Sequence, residues 1–170
     1  RLYLDVFSGR NYPKFFINYL EKNKIKIDYT EEDSLVFDKL KSDFISFSYY
    51  QSTTVKANCK DFNTLKMDQV IDNEFVDRSE WNWEIDPVGL RISMENIFAD
   101  SNLPVFIIEN GLGLREELPE NEFIEDDERI SYHDNHIKEM KKAMKEGVEC
   151  IGYLGWGLID IPSSSGDMDK

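Results

Sequence analysis

Four apolar residues run directly into a carboxylate, an amide and a glycine in Val105-Phe106-Ile107-Ile108-Glu109-Asn110-Gly111. A carboxylate at the C-terminal end of a buried parallel strand stands where barrel enzymes place catalytic groups, and in its ionised form it can act as a nucleophile. The same residues also suit an acidic turn in which Asn-Gly reverses the chain. The local pattern favours neither. Trp81, Trp83 and Trp156 offer aromatic faces, and Ser163, Ser164 and Ser165 precede Lys170. His133 and His136 stand at i and i+3, a spacing open to metal, but without a third ligand they are read as surface or helix-face histidines and no metal site is assigned.

The elements that must position these groups follow from hydrophobic patterning. Three short, almost wholly apolar runs, Asp43 to Tyr50, Pro104 to Ile108 and Glu149 to Trp156, have the character of parallel strands buried on both faces. Amphipathic helices are expected between and before them. Asn11 to Asn23 carries Phe15, Phe16, Tyr19 and Leu20 on one face, with Pro13 near its first turn. Thr30 followed by Asp33 is a capping-box start for a short helix bearing Leu35 and Val36. Asp86-Pro87 opens a helix in which Leu90, Met94, Ile97 and Phe98 share a face. Ser131 with Asp134 opens another, whose Ile137, Met140 and Met144 align before Gly147 ends it.

The alternation of helix and strand predicts an α/β fold. Residues 51–83 form a long polar insertion after the first strand, and such insertions in a barrel lie where strands end. Three strands are too few to close an eight-stranded barrel, so a barrel would be incomplete in this chain, which is expected to be a single partial domain over residues 1–170.

Composition narrows the function classes. With 170 residues, 41% of them apolar, the chain can bury a sizeable core. No apolar run spans a bilayer and the first residues lack the marks of a signal peptide. A net charge of −14 disfavours nucleic acid and anionic membranes as partners. Cys59 and Cys150 stand far apart without metal-ligand spacing, which fits a reducing cytoplasm.

Beyond these patterns, Ile108-Glu109-Asn110-Gly111 after an apolar strand resembles the nucleophile motif of glycoside hydrolase family one. Asp43-Phe44-Ile45-Ser46-Phe47-Ser48-Tyr49-Tyr50 is similar to the family's preceding core strand. Trp81-Asn82-Trp83-Glu84-Ile85-Asp86-Pro87 resembles its tryptophan-rich approach to the next helix, and Gly152-Tyr153-Leu154-Gly155-Trp156 its last strand. The blocks fall in family order along essentially the whole chain. The resemblance implies the C-terminal portion of a (β/α)8 barrel and a retaining glycosidase, in which one of two carboxylates attacks the anomeric carbon. It implies a catalytic set here of Glu109 as nucleophile and Tyr50 as the phenol donating to it. Trp156 would pack beneath the sugar at the cleaved position and Trp83 would line the leaving-group side, whereas Trp81 is read as packing.

The end of the chain bears on substrate. Ordinary β-glucosidases of the family carry a Glu-Trp pair after the last-strand tryptophan, and no such pair follows Trp156. The resemblance is to the phospho-β-glucosidase and phospho-β-galactosidase branch, in which a serine and a lysine receive a sugar 6-phosphate; Ser163 or Ser164 and Lys170 match them. The implied substrate is a phosphorylated β-glucoside, with no cofactor. Asn73-Glu74 superficially resembles the family's acid/base motif, but Phe75 follows it and no strand precedes it. No Asn-Glu-Pro occurs in the sequence, so the chain alone is expected to be inactive and to self-associate through uncovered strands. A portion of an unphosphorylated β-glucosidase or of a 6-phospho-β-galactosidase, a non-catalytic sugar-phosphate-binding module and a structural fragment are the competing expectations.

Overall fold

β-Branched and aromatic residues dominate the first two apolar runs, and all three runs form strands. The computed structural model describes residues 2–40, 42–57, 69–115, 120 and 124–157. In chain order the elements are α1 (Leu2–Phe7), α2 (Lys14–Lys22), α3 (Glu31–Lys39), β1 (Ile45–Ser48), α4 (Pro87–Ser101), β2 (Val105–Asn110), α5 (Asp127–Lys145) and β3 (Cys150–Gly155). The strands make one parallel sheet in the order β1-β2-β3, so each crossover is a strand-helix-strand unit.

One face of the sheet is closed by α4 and α5. Leu90, Met94, Val105 and Ile107 are fully buried there with Ala143, and Tyr49 and Val148 join them. Complete burial of such side chains contributes roughly 1.5–3 kcal/mol each, so this layer holds the strand ends in place. The opposite face is open, with Phe44, Ile108 and Leu154 exposed. Among the described residues no helix is long and apolar enough to cross a membrane.

The helix ends follow local chemistry. Asp86 caps α4 by accepting from the Gly89 N–H at 2.8 Å, with Pro87 in its first turn. Thr30 and Asp33 close the expected capping box at α3. Gly147, at φ 102°, leaves α5 through the left-handed region that glycine adopts without strain.

Several expectations need correction. The helix read as opening at Ser131 begins at Asp127, where Asp127 and Glu128 place negative charge in the first turn, favourable to the helix dipole. Its buried stripe is Tyr132, His136, Glu139 and Ala143, while Met144 is exposed. The buried face carries polar groups that bond across to the strands, so apolar periodicity misplaces it. His136 is fully buried, not a surface histidine. Phe15 and Tyr19 are exposed, because α2 buries Leu20 alone. The short α1, without a long apolar period, was not foreseen.

Candidate active site

Parallel strands deliver their C-terminal ends to one rim, and Glu109, Tyr50 and Trp156 all lie on it. Strict alternation along β2 would turn Glu109 to the helix side with Val105 and Ile107. A bulge prevents this. Phe47 pairs with Ile107 and Ser48 pairs with Glu109, which leaves Ile108 as an extra residue in β2. Bulges re-aim side chains beside functional sites. Here the extra residue presents Glu109 to the open face and sends Asn110 into the buried layer.

On the open face, the Tyr50 hydroxyl donates to Glu109 Oε2 at 3.1 Å and the Ser48 hydroxyl donates to the same oxygen at 3.0 Å. Burial, then the hydrogen bond and charge of Glu109, push the Tyr50 phenol well above its ordinary value, so it remains a donor at neutral pH. Aromatic rings pack on Tyr50. The Tyr50 ring meets Trp83 edge-on at 5.4 Å between centroids and Trp156 at 6.0 Å. Trp81 braces Trp83 at 5.3 Å and packs over Gly113, where any side chain would collide with the indole. Trp81 is thus a support for Trp83, as packing implies.

Glu84 pins the segment carrying these tryptophans. Its buried carboxylate accepts from Ser52 Oγ at 2.9 Å and pairs with Arg78 at 3.1 Å. Gly111 has a different purpose from chain reversal. A Cβ there would lie 2.9 Å from the Trp156 carbonyl oxygen, so glycine permits the chain after β2 to pass close to Trp156.

Behind Glu109 lies a directed polar network. Asn110 is fully buried and donates through Nδ2 to the Tyr49 carbonyl at 2.7 Å and to the Tyr132 hydroxyl at 3.0 Å. Tyr132 donates onward to the Tyr50 carbonyl at 3.3 Å, and Tyr153 donates to Asn110 Oδ1 at 2.6 Å. Because that uses the one Tyr153 proton, His133 Nδ1, 2.7 Å from the Tyr153 hydroxyl, must itself be the donor. Burial pushes the Tyr132 phenol up to about 12, against the lowering effect of the Asn110 amide. The network ties β1, β2, β3 and α5 together directly under the carboxylate.

Of the residues foreseen from sequence, Glu109, Tyr50, Trp83 and Trp156 come together. Ser163, Ser164 and Lys170 lie outside the described residues. Sequence reasoning assigned no site role to Ser48, Asn110, Tyr132, Tyr153 or His133, although Asn110 stands in the strand-end motif and His133 reads as a surface or helix-face histidine. Ser48 had a usable signal, since i and i+2 share a strand face and Ser48 precedes Tyr50 by two. The others had none, being polar residues whose partners are remote in sequence. Among the described residues no group of three His, Cys, Asp or Glu is placed to hold a metal ion.

Known proteins share this arrangement of sequence and fold. The model of glycosyl hydrolase family 1 matches residues 1–170. Aryl-phospho-β-D-glucosidase BglA of Bacillus subtilis (strain 168) is 37% identical, over 98% of this chain and 36% of its own length. 6-Phospho-β-glucosidase AscB of Escherichia coli (strain K12) is 36% identical over 99% of this chain and 36% of its own. The solved structure of a family 1 β-glucosidase from Thermotoga maritima superimposes with a TM-score of 0.73 at 25% identity, covering 91% of this chain and 34% of that one. The chain therefore spans about a third of the length of the relatives it matches. Its three parallel strands and flanking helices are an incomplete part of the barrel those enzymes share. This chain belongs to glycosyl hydrolase family 1.

Proposed function

We propose that these residues form the C-terminal, nucleophile-bearing portion of a retaining 6-phospho-β-glucosidase, one partial domain over residues 1–170. The observation that carries the reading is the carboxylate of Glu109 at a strand end, held by two hydroxyl donors, one of which, Tyr50, packs edge-on against Trp83 and Trp156. Two donors on one carboxylate oxygen hold the Glu109 side chain in a fixed orientation at the strand end. An indole packed on Tyr50 suits the C–H face of a pyranose and would stabilise developing positive charge at the anomeric carbon.

In this reading Glu109 attacks the anomeric carbon and a second carboxyl group, supplied by the rest of the barrel, protonates the departing oxygen. Acid assistance is worth about 10²–10⁴ in rate, so the 170-residue chain alone is inactive toward natural glycosides. The names of the relatives support a phosphorylated β-glucoside as substrate, and Ser163 or Ser164 with Lys170 would receive the phosphate. A cytoplasmic location fits that substrate class, since a charged sugar phosphate does not cross a bilayer unaided. The open sheet face and exposed Phe44, Ile108 and Leu154 favour self-association of the isolated chain.

The test is kinetic. The complete barrel containing these residues is assayed on an aryl β-glucoside and on its 6-phosphate. Preference for the phosphorylated substrate by at least tenfold in kcat/KM is expected, with Lys170→Ala erasing most of it. Preference for the unphosphorylated glucoside would refute the substrate assignment.

A further inference from the structure

We propose that Ser48 is a positioning residue which, with Tyr50, fixes the division of labour between the two oxygens of Glu109: Oε2 is tethered and Oε1 attacks. The inference rests on the reading of Glu109 as nucleophile. Both donors converge on one oxygen, Ser48 Oγ at 3.0 Å and Tyr50 Oη at 3.1 Å from Oε2. Among the described residues no hydrogen bond reaches Oε1. A carboxylate oxygen offers two lone-pair directions, so two donors saturate Oε2 and leave the lone pairs of Oε1 for the anomeric carbon. The arrangement is built by the backbone. Residues 48 and 50 lie on one face of the same strand run, and the extra residue Ile108 brings Glu109 round to meet them.

The consequence falls unequally on the two halves of the reaction. In the first, the Oε1–carbon bond forms as the carbon–oxygen bond to the leaving group breaks, and that oxygen takes its proton from the acid/base carboxyl group of the complete barrel. In the second, water attacks the anomeric carbon and gives its proton to that same carboxylate, while the Oε1–carbon bond breaks and its electron pair returns to Glu109. Charge thus leaves Glu109 in the first half and comes back in the second. Hydrogen bonds to a carboxylate are about twice as strong as those to a neutral carbonyl. Donors on Oε2 therefore assist breakdown of the glycosyl-enzyme more than its formation, and losing one slows the second half selectively.

The experiment uses the complete barrel containing these residues, with the dinitrophenyl β-glucoside or its 6-phosphate, whichever the parent enzyme turns over. With so good a leaving group, breakdown of the glycosyl-enzyme limits kcat. Ser48→Ala is expected to lower kcat about tenfold, to lower KM with it, and to leave kcat/KM within about twofold, with a larger burst of dinitrophenolate. Ser48→Thr, which keeps the hydroxyl, is expected to stay within about threefold of the parent in kcat. A kcat for Ser48→Ala within twofold of the parent overturns the inference. So does a fall in kcat/KM as large as the fall in kcat, which is what loss of packing would produce. Glu109→Gly with added azide distinguishes the role of Ser48 from that of Glu109. If azide restores turnover and gives the α-glycosyl azide while Ser48→Ala is silent, the inference alone fails. If azide restores nothing, Glu109 is not the nucleophile and both readings fall.

Discussion

Glu109 is defined less by its own residue type than by what surrounds it. A glutamate after an apolar strand is ordinary, but this one accepts from Tyr50 and Ser48 through a single oxygen, and two indoles pack on that tyrosine, which is the geometry on which its proposed role as nucleophile rests. The coupling runs both ways. Burial raises the Tyr50 phenol first, and the hydrogen bond and charge of Glu109 raise it further. Glu109→Gln removes the charge, leaves an amide oxygen as a weaker acceptor, and keeps the burial. The Tyr50 titration should then move down toward, without reaching, the ordinary tyrosine value, as followed by carbon NMR of labelled tyrosine in the isolated chain. In the complete barrel the same substitution should lower kcat by at least about 10⁴-fold. An unmoved Tyr50 titration would show that the two side chains are not bonded in solution.

At the scale of elements, the site depends on a buried polar layer between the strands and α5. Asn110→Ala would leave the Tyr49 carbonyl without this donor and take one partner each from the Tyr132 and Tyr153 hydroxyls, which keep the Tyr50 carbonyl and His133. Unsatisfied buried groups cost about 1–3 kcal/mol each, partly relieved by rearrangement, so a net loss of ~2–4 kcal/mol is expected in urea unfolding. His136 adds a pH dependence. Its Nδ1 donates to the Tyr132 carbonyl at 2.8 Å, and its Nε2 is buried with no partner among the described residues. Burial holds its pKa below the ordinary 6.5, with His133 adding to the depression and the Tyr132 carbonyl and Asp86 opposing it. The unfolded chain therefore takes up a proton near pH 6.5 while the folded one waits for lower pH. Stability is fully present above that value and declines as pH falls toward the folded pKa, by at most about 1.4 kcal/mol per pH unit for one such histidine. His136→Phe should flatten the decline between pH 7 and 5.5, leaving the share of His133, whose pKa burial also lowers. An unchanged slope would assign the decline to other groups.

The same layer explains what the sequence did and did not disclose. The three strands and α4 were legible because they bury apolar side chains, and Asp86-Pro87 and Thr30 with Asp33 marked their helix starts through local chemistry alone. The bulge at Ile108 was not legible, since it exists only in the pairing of β2 with its neighbours. Nor was the buried face of α5, whose Tyr132 and His136 are satisfied or tolerated through partners that periodicity does not register.

For the whole molecule, the decisive fact is proportion. About a third of a family 1 barrel presents three strands with one face covered and the other open. The exposed apolar groups should draw isolated chains together despite a net charge of −14. Sedimentation velocity should show oligomers whose proportion grows with protein concentration and with salt, as charge repulsion is screened; a monomer across that range would contradict the expectation. The family was legible from short blocks because the rim residues lie at strand ends, where local sequence and site coincide. The phosphate-binding role proposed for Ser163 or Ser164 and Lys170 rests on resemblance alone, and those positions lie outside the described residues.

The central claim is that Glu109 forms the covalent glycosyl-enzyme. The most direct test treats the complete barrel containing these residues with a 2-deoxy-2-fluoro-β-glucosyl 6-phosphate bearing a good leaving group, digests the inactivated protein, and locates the label by mass spectrometry. The account predicts one sugar phosphate per chain, esterified to Glu109 in the peptide running through Val105 to Gly111, and no label in Glu109→Gln. A sugar ester on a different carboxylate, or inactivation without any covalent adduct, would contradict it.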